Sequence, residues 1–480
     1  MDLTRFVKDN SNKLKVQQIF GKGVRMIYED ALSAIASDSN LLDKLISMEE
    51  IPSEITSDFL SKLQGEKSII QQPAIPTQVS AQVASKVKII KHYEGWDPVN
   101  AQSFWNFFLS RYKVISQLLW KRPQLKNTIS IGQLAKVRGR EELSIIGMVR
   151  KIRDTNDGRR ILTVEDLSGS AIVIIPNNLP EKGEIVPDEV IGLKGQAGRG
   201  IFFANQIIYP DIPHVAWPVA KRSKALFISD NHVGSKKYLE DVWEKFVSWI
   251  KEHKEIKYLF IAGDLVDGIG MYQNQNKQLE IDTVDGQMEA LAKALGQIRN
   301  DIKMFAISGN HDPNRDSEPQ PVFPEDIGKP LKKIGNLTIY SNPSWIEVEG
   351  ITILLYHGTS MDSMIDAIEP IRNDGYQKPY LGQKYYLKKR HLSPIFGRNK
   401  IFPDKQDFMI INKVPHVLHT GHVHKFSINS YRGVKLISTG TFQDTTDFQE
   451  KLGHKPSPGK FVVMDLSDGS TEAIDFSKIQ

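Results

Sequence analysis

The sequence has 480 residues, of which 25% are charged and 40% hydrophobic; this globular balance excludes a collagen, a coiled-coil rod and a wholly disordered chain. At roughly 100–200 residues per domain there is room for two to four domains. No cysteine is present, which excludes a disulfide framework, a thiolate zinc site, an iron–sulfur cluster and cysteine nucleophiles, and a formal net charge of +5 permits an anionic partner without requiring one.

No apolar run is long enough for a membrane span and no signal-peptide pattern is visible, so the expectation is a cytoplasmic protein with no membrane partner. Residues 1–65 read as a small helical domain. Val24, Ile27, Ala31, Leu32 and Ile35 recur at helical spacing, and Ile55, Phe59, Leu60 and Leu63 form a second run. Residues 66–95 read as a flexible linker, because QQPAIPTQVSAQVAS is rich in Gln, Ser, Ala and Pro and lacks aromatics. Such a tether leaves the small domain free to bind a partner of its own. Residues 96–128 carry a bridging helix with Phe104, Phe107, Phe108, Arg111, Ile115, Leu118 and Leu119. Its aromatic density fits packing on a neighbouring domain, and core packing is the simpler reading.

Over 129–212 the pattern turns to short strands. SIIGMV, RILTVED and SAIVIIP are separated by turns at Asn156-Asp157-Gly158 and Ser168-Gly169. Such strands over this length predict a small barrel of the OB type, read as a protein-binding platform in preference to a single-strand nucleic-acid site. From 213 to 480 strands alternate with helices. The apolar runs are LFIS (226–229), YLFIA (258–262), MFAIS (304–308), ITILLY (351–356) and VPHVL (414–418).

Each of these runs leads into a polar cluster: Asp230-Asn231-His232, Gly263-Asp264-Leu265-Val266-Asp267, Gly309-Asn310-His311-Asp312, His357-Gly358 and Gly421-His422-Val423-His424. Ligands of α/β sheets bind beyond the carboxyl ends of the strands, so the clusters are expected along one sheet edge. Carboxylate and imidazole donors without sulfur suit manganese, iron, zinc or magnesium. One carboxylate can bridge two ions about 3.5–4 Å apart, the spacing of phosphate-cleaving sites.

The order Asp-x-His, Gly-Asp-x-x-Asp, Gly-Asn-His-Asp, His-Gly, Gly-His-x-His resembles that of the calcineurin-like metallophosphoesterases. Arg315, Glu318-Pro319-Gln320-Pro321, Lys389-Arg390-His391-Leu392-Ser393-Pro394 and His419-Thr420-Gly421 narrow the likeness to the small subunits of archaeal family D DNA polymerases. The resemblance covers about 130–480. It implies a multidomain α+β chain: an N-terminal helical domain, an OB-type barrel and a calcineurin-like α/β domain with a two-sheet core.

The resemblance also implies two divalent ions. Asp230, His232, Asp264 and His424 would hold one, and Asp264, Asn310, His357 and His422 the other. His311 takes the place of a histidine that assists the leaving group, Asp267 that of a ligand orienter, and Asp312 is expected to orient His311. The implied activity is 3′–5′ exonuclease proofreading within a two-subunit replicative polymerase. The implied partners are the large catalytic subunit and DNA, with the sliding clamp or primase as candidates for the N-terminal domain. Arg315, Lys389 and Arg390, beside Lys384, Lys388 and Arg398, are the expected DNA contacts. No paired-carboxylate polymerase motif lies outside these clusters, so synthesis falls to the partner. Rival readings are a catalytically silent scaffold subunit and a free-standing phosphoesterase.

Overall fold

A computed structural model describes residues 87–95, 98–137, 142–198, 200–220, 222–451 and 453–479, together with 26–27, 39–48, 54–55, 60 and 63. The chain divides into two units, Met1–Gln82 and Val83–Gln480. In the first unit a helix spans Ser39–Ser47 and buries Leu41 and Leu45. Met26–Ile27 pairs in parallel with Glu54–Ile55. Ile27 and Ile55 therefore lie in strands, not in the helices that their spacing suggested. Short apolar runs carry too few turns of periodicity to separate the two. Val24, Ala31, Leu32, Ile35 and Phe59 lie outside the described residues, as do 66–86 of the expected linker.

In the second unit, β1 (Val87–Lys91) precedes helix α1 (Ala101–Trp120). Asn100 and Ser103 close a reciprocal capping box at the start of α1. Strands β2 (Glu142–Asp154), β3 (Arg160–Asp166), β4 (Gly169–Ile175), β5 (Val190–Gly198) and β6 (Ile201–Ile208) close a barrel in the order β2-β3-β4-β6-β5. The β2–β3 hairpin turns where Asn156-Asp157-Gly158 predicted, with Gly158 at φ 80°. Val149, Leu162, Val164, Val173, Leu193 and Phe202 fill the interior, the inward half of each strand's alternation.

The remaining elements form a two-sheet sandwich. They are β7 (Lys224–Ile228), α2 (Glu240–Glu252), β8 (Ile256–Ala262), α3 (Val284–Leu295), β9 (Lys303–Ile307), β10 (Leu337–Tyr340), β11 (Ser344–Val348), β12 (Ile351–Leu355), α4 (Met361–Ala367), α5 (Tyr380–Lys389), β13 (Val417–Thr420), β14 (Ser427–Tyr431), β15 (Val434–Ser438), β16 (Lys460–Asp465) and β17 (Thr471–Asp475). Among the described residues one sheet runs β10-β9-β8-β7-β16-β17 and the other β14-β15-β13-β12-β11-β1.

Phe227, Phe260 and Phe305 of the first sheet meet Ile346, Ile353 and Val417 of the second in the middle layer. Trp243, Phe246 and Leu291 of α2 and α3 cover the outer face of the first sheet. Met364, Tyr385 and Tyr386 of α4 and α5 cover that of the second. The five cluster-bearing strands thus lie in two sheets, β7, β8 and β9 in one and β12 and β13 in the other. A single sheet edge was expected because apolar runs reveal burial on both faces but not which strands pair. Val87–Lys91, expected as linker, is the edge strand beside β11.

Helix α1 rivets the barrel to the sandwich. Arg111 is fully buried; its Nε donates to Asp407 Oδ2 (2.7 Å) and its Nη1 to the carbonyls of Asp188 (3.0 Å) and Pro394 (2.7 Å). Phe104, Phe107 and Phe108 surround the Phe396 ring, so the aromatic face meets a neighbouring domain as well as the core. His391 Nε2 lies 2.8 Å from Asp407, and His391 Nδ1 accepts from the Ser393 amide. Burial would raise the Asp407 carboxyl, but His391 and Arg111 hold it well below the usual carboxylate range.

Arg111→Met strands Asp407 in the interior and is expected to cost about 3–5 kcal/mol, read as a lower urea midpoint. Burial, reinforced by Arg111, pushes the His391 imidazole down to about 4. An unfolded imidazole titrates near 6.5, so the unfolded chain takes up this proton first. The His391 contribution is therefore complete above about pH 6.5 and declines toward pH 4. His391→Asn is expected to flatten that limb of a profile of melting temperature against pH.

Candidate metal centre

The polar clusters begin where the strands end, and several sit in backbone conformations that ordinary side chains avoid. Asp230 (φ 53°), His232 (49°), Asp264 (49°), His422 (71°) and His424 (53°) are all left-handed. Each costs of order 1–3 kcal/mol and persists only where surroundings enforce it. Here the loops enforce one another: the Asp230 amide donates to the Gly263 carbonyl (2.9 Å), His232 to Asp264 (3.0 Å), and Asp267 to Val233 (3.0 Å). Gly309 lets these loops close up, because a Cβ there would fall onto the Asp264 carboxylate and amide.

Asp230, His232, Asp264 and His424 offer donor atoms all within 4.8 Å of one another, and all four are buried. His232 Nε2 and His424 Nε2 are 3.0 Å apart, and His424 Nε2 lies 3.4 Å from Asp230 Oδ1. Asp264 Oδ2 lies 3.6 Å from His232 Nε2 and 3.3 Å from His357 Nε2, at the seam of two groups. Beyond the seam, Asn310 Oδ1 is 3.0 Å from His357 Nε2 and 2.9 Å from His422 Nδ1. The structure therefore brings together all seven expected ligands.

The outer nitrogen of each of four imidazoles faces an acceptor. His232 Nδ1 meets Asp267 Oδ1 (3.0 Å), His357 Nδ1 the Ala262 carbonyl (2.8 Å), His422 Nε2 Asp362 Oδ2 (3.1 Å), and His311 Nδ1 the Asp267 carbonyl (2.8 Å). Donation outward leaves the other nitrogen's lone pair toward the site, the tautomer a metal ligand needs. Gln443 and Gln275 in turn donate to the Asp267 carboxylate.

The electrostatics call for cations. Burial alone would lower both His357 and His232, yet Asp264 raises His357 to about 10 and the Asp267 hydrogen bond raises His232 to about 9. Burial would raise Asp264, but His357 and His311 hold it well below its usual range. Buried carboxylates that draw protons onto neighbouring imidazoles suit divalent ions, and this oxygen and nitrogen donor set fits hard to borderline metals.

Asp312 does not orient His311. Its carboxylate accepts from the amides of Leu265 (2.9 Å), Val266 (3.0 Å) and Gly309 (2.7 Å), stapling two ligand loops together. Burial pushes this carboxyl up to about 7. His311 is instead held by the Asp267 carbonyl.

The expected DNA contacts Arg315, Lys389 and Arg390 are engaged elsewhere. Lys389 is buried at the end of α5, with Nζ on Glu189 (2.6 Å) and the Glu184 carbonyl (2.7 Å) of the barrel side. Arg390 caps α5 in a left-handed conformation and donates to the carbonyls of Ile411 (2.6 Å) and Asn412 (2.9 Å). The Arg315 guanidinium lies over the Phe402 ring (3.8 Å) and donates to the Pro319 carbonyl. A charge run in the sequence does not reveal whether its members face water or a domain junction.

Sequence reasoning gave no role to Gln320, Asn342 or Asp362. Gln320 Nε2 donates to the Gly309 carbonyl (2.9 Å), and Gln320 Oε1 accepts from Asn342 Nδ2 (2.9 Å). Asn342 Oδ1 accepts from the His357 amide (3.0 Å). This chain of amides ties the ligand loop of one sheet to that of the other. The Glu-Pro-Gln-Pro run was its one visible signal. An open cleft of about 870 Å³ passes Asn310, His311 and His422, reaching Glu318, Arg398 and Lys400. A hollow of about 370 Å³ lies over His232, Asp264 and His424.

An αββα sandwich with carboxylates and imidazoles gathered at its strand ends is the fold of a calcineurin-like phosphoesterase, and the calcineurin-like phosphoesterase family profile matches residues 223–426. Most of the chain aligns with curated archaeal proteins. The DNA polymerase II small subunit of Methanothermobacter thermautotrophicus is 41% identical over 387 residues, covering 77% of this chain and 78% of that protein. That of Archaeoglobus fulgidus is 34% identical over 453 residues, covering 90% of each. The chain belongs to the DNA polymerase II small subunit family, and it carries a metallophosphoesterase-type hydrolase domain.

Asp267→Ala frees the outer nitrogen of His232. It is expected to weaken manganese binding by about 10–100-fold, measured by isothermal titration calorimetry.

Proposed function

We propose that this chain is the proofreading 3′–5′ exonuclease subunit of a two-subunit DNA polymerase, hydrolysing phosphodiester bonds at DNA 3′ ends with two divalent ions, manganese, iron, zinc or magnesium. The observation that carries this reading is the double cluster sharing Asp264, set in a family of polymerase small subunits. Asp230, His232, Asp264 and His424 would hold one ion, and Asp264, Asn310, His357 and His422 the other. Such ions, when bound, acidify water and neutralise charge on the phosphoryl oxygens.

The chain's own residues do the rest. Asp267 fixes the tautomer of His232 and, through its carbonyl, aims His311. His311 lines the cleft beside Asn310 and, when protonated, donates to the departing 3′ oxygen. Burial lowers its pKa, which favours release of that proton. Asp362 steers His422, and Asp312 keeps the Asp264 and Gly309 loops joined.

DNA synthesis would fall to a large catalytic subunit, the partner that membership of a small-subunit family implies. Exposed Leu167, Ile172 and Phe203 on the barrel support a docking face for it there. The N-terminal unit would serve a separate contact, with the clamp or primase.

The test is nucleotide release from a 3′-labelled single strand, with manganese, magnesium or chelator, alone and with the large subunit. Stepwise release is expected, abolished by chelator and by Asp264→Ala, and slowed about 10²–10⁴-fold in kcat by His311→Ala. Release that survives Asp264→Ala would sink the assignment.

A further inference from the structure

Between the candidate ligands of β8 and helix α3 the chain makes a loop whose tip is apolar and open to solvent. Ile269 is 42% exposed and Met271 36% exposed, with Gly270 between them at φ 78°. The base of this loop is firmly held. Gln275 donates to the Asp267 carbonyl (2.8 Å) and accepts from the Met271 amide (2.9 Å). Gln287 accepts from the Gly268 amide (2.8 Å), and a Cβ at Gly268 would strike the His311 carbonyl. Two large apolar side chains are thus presented to water by a loop that buried hydrogen bonds hold in place.

Their position gives them a use. Ile269, Gly270 and Met271 line the same 870 Å³ cleft as Asn310, His311 and His422. The same cleft is lined by Arg398 and Lys400, which among the described residues pair with the exposed carboxylates Asp366 and Asp316. Exposed pairs of this kind are worth little and exchange readily for a phosphate. The cleft therefore brings together apolar side chains, phosphate-handling groups and exchangeable cations. A single-stranded nucleotide matches that set of chemistries with its flat base, its reacting phosphate and the next phosphate along the strand.

We infer that Ile269 and Met271 form a platform for the base of the 3′-terminal nucleotide. This inference rests on the nuclease reading above. A terminal base drawn into the cleft has a face free to cover the loop tip, and burial of that face against apolar side chains tolerates any sequence because every base has one.

The test uses the full chain with manganese and two 3′-labelled single strands, identical except that one ends in an abasic nucleotide. The ratio of kcat/KM for the two strands is read within each protein, so a change in folded fraction cancels. Wild type is expected to favour the base-bearing end by roughly tenfold, carried mostly by KM. Ile269→Ser with Met271→Ser is expected to bring the ratio near one, and Ile269→Leu with Met271→Leu to keep it. A wild-type ratio near one, or a large ratio unchanged by the serine pair, overturns the inference and leaves the loop tip to some other occupant, such as a protein. No release from either strand, with or without the large subunit, overturns the nuclease reading and this inference with it.

Discussion

Everything at the candidate centre depends on one buried carboxylate. Asp264 stands at the end of a strand of the first sheet, yet its Oδ2 faces His357, which follows a strand of the second. Its Oδ1 accepts from the His311 amide (2.8 Å). A carboxylate in this position costs several kcal/mol in desolvation unless positive charge surrounds it. The imidazoles gathered about it, and the cations they suit, are the answer to that cost. The two sheets must therefore keep a fixed offset, since a small slip would part Asp264 from His357 and dissolve both ligand groups.

The rest of the molecule holds that offset. Aromatic and β-branched side chains fill the middle layer between the sheets, and close packing resists sliding. The Gly309–Gln320–Asn342–His357 relay crosses from one sheet to the other beside the site. Asp312 welds the loops after β8 and β9. Farther out, Arg111 and Lys389 pin the barrel and bridging helix to the sandwich through buried ion pairs. Lys389, expected as a DNA contact, is engaged there because a junction between domains consumes charge as readily as a phosphate does.

The candidate ligands were legible because the chemistry demands particular residue types at particular strand ends. Asp230, His232, Asp264, Asn310, His357, His422 and His424 announce themselves by type and by following apolar runs. The barrel was legible too, since alternation and turns such as Asn156-Asp157-Gly158 are local signals. The helical reading of Ile27 and Ile55 failed where the runs were too short to show a period. Asp312 was misread because its neighbour in sequence, His311, is not its neighbour in hydrogen bonding.

By itself the sequence determined the candidate donor set, the order of motifs, the barrel strands and the lack of cysteine. All of these are properties of residue type and short-range spacing. Only the tertiary structure decided which strands share a sheet, and with it the convergence of the clusters across two sheets. It alone decided the outward tautomer partners of the imidazoles, the engagement of Arg315, Lys389 and Arg390 at buried contacts, and the exposure of Ile269 and Met271 at the cleft. Each of these is a contact between residues far apart in the chain. Pairing at that range follows from packing the whole interior, which no local pattern encodes.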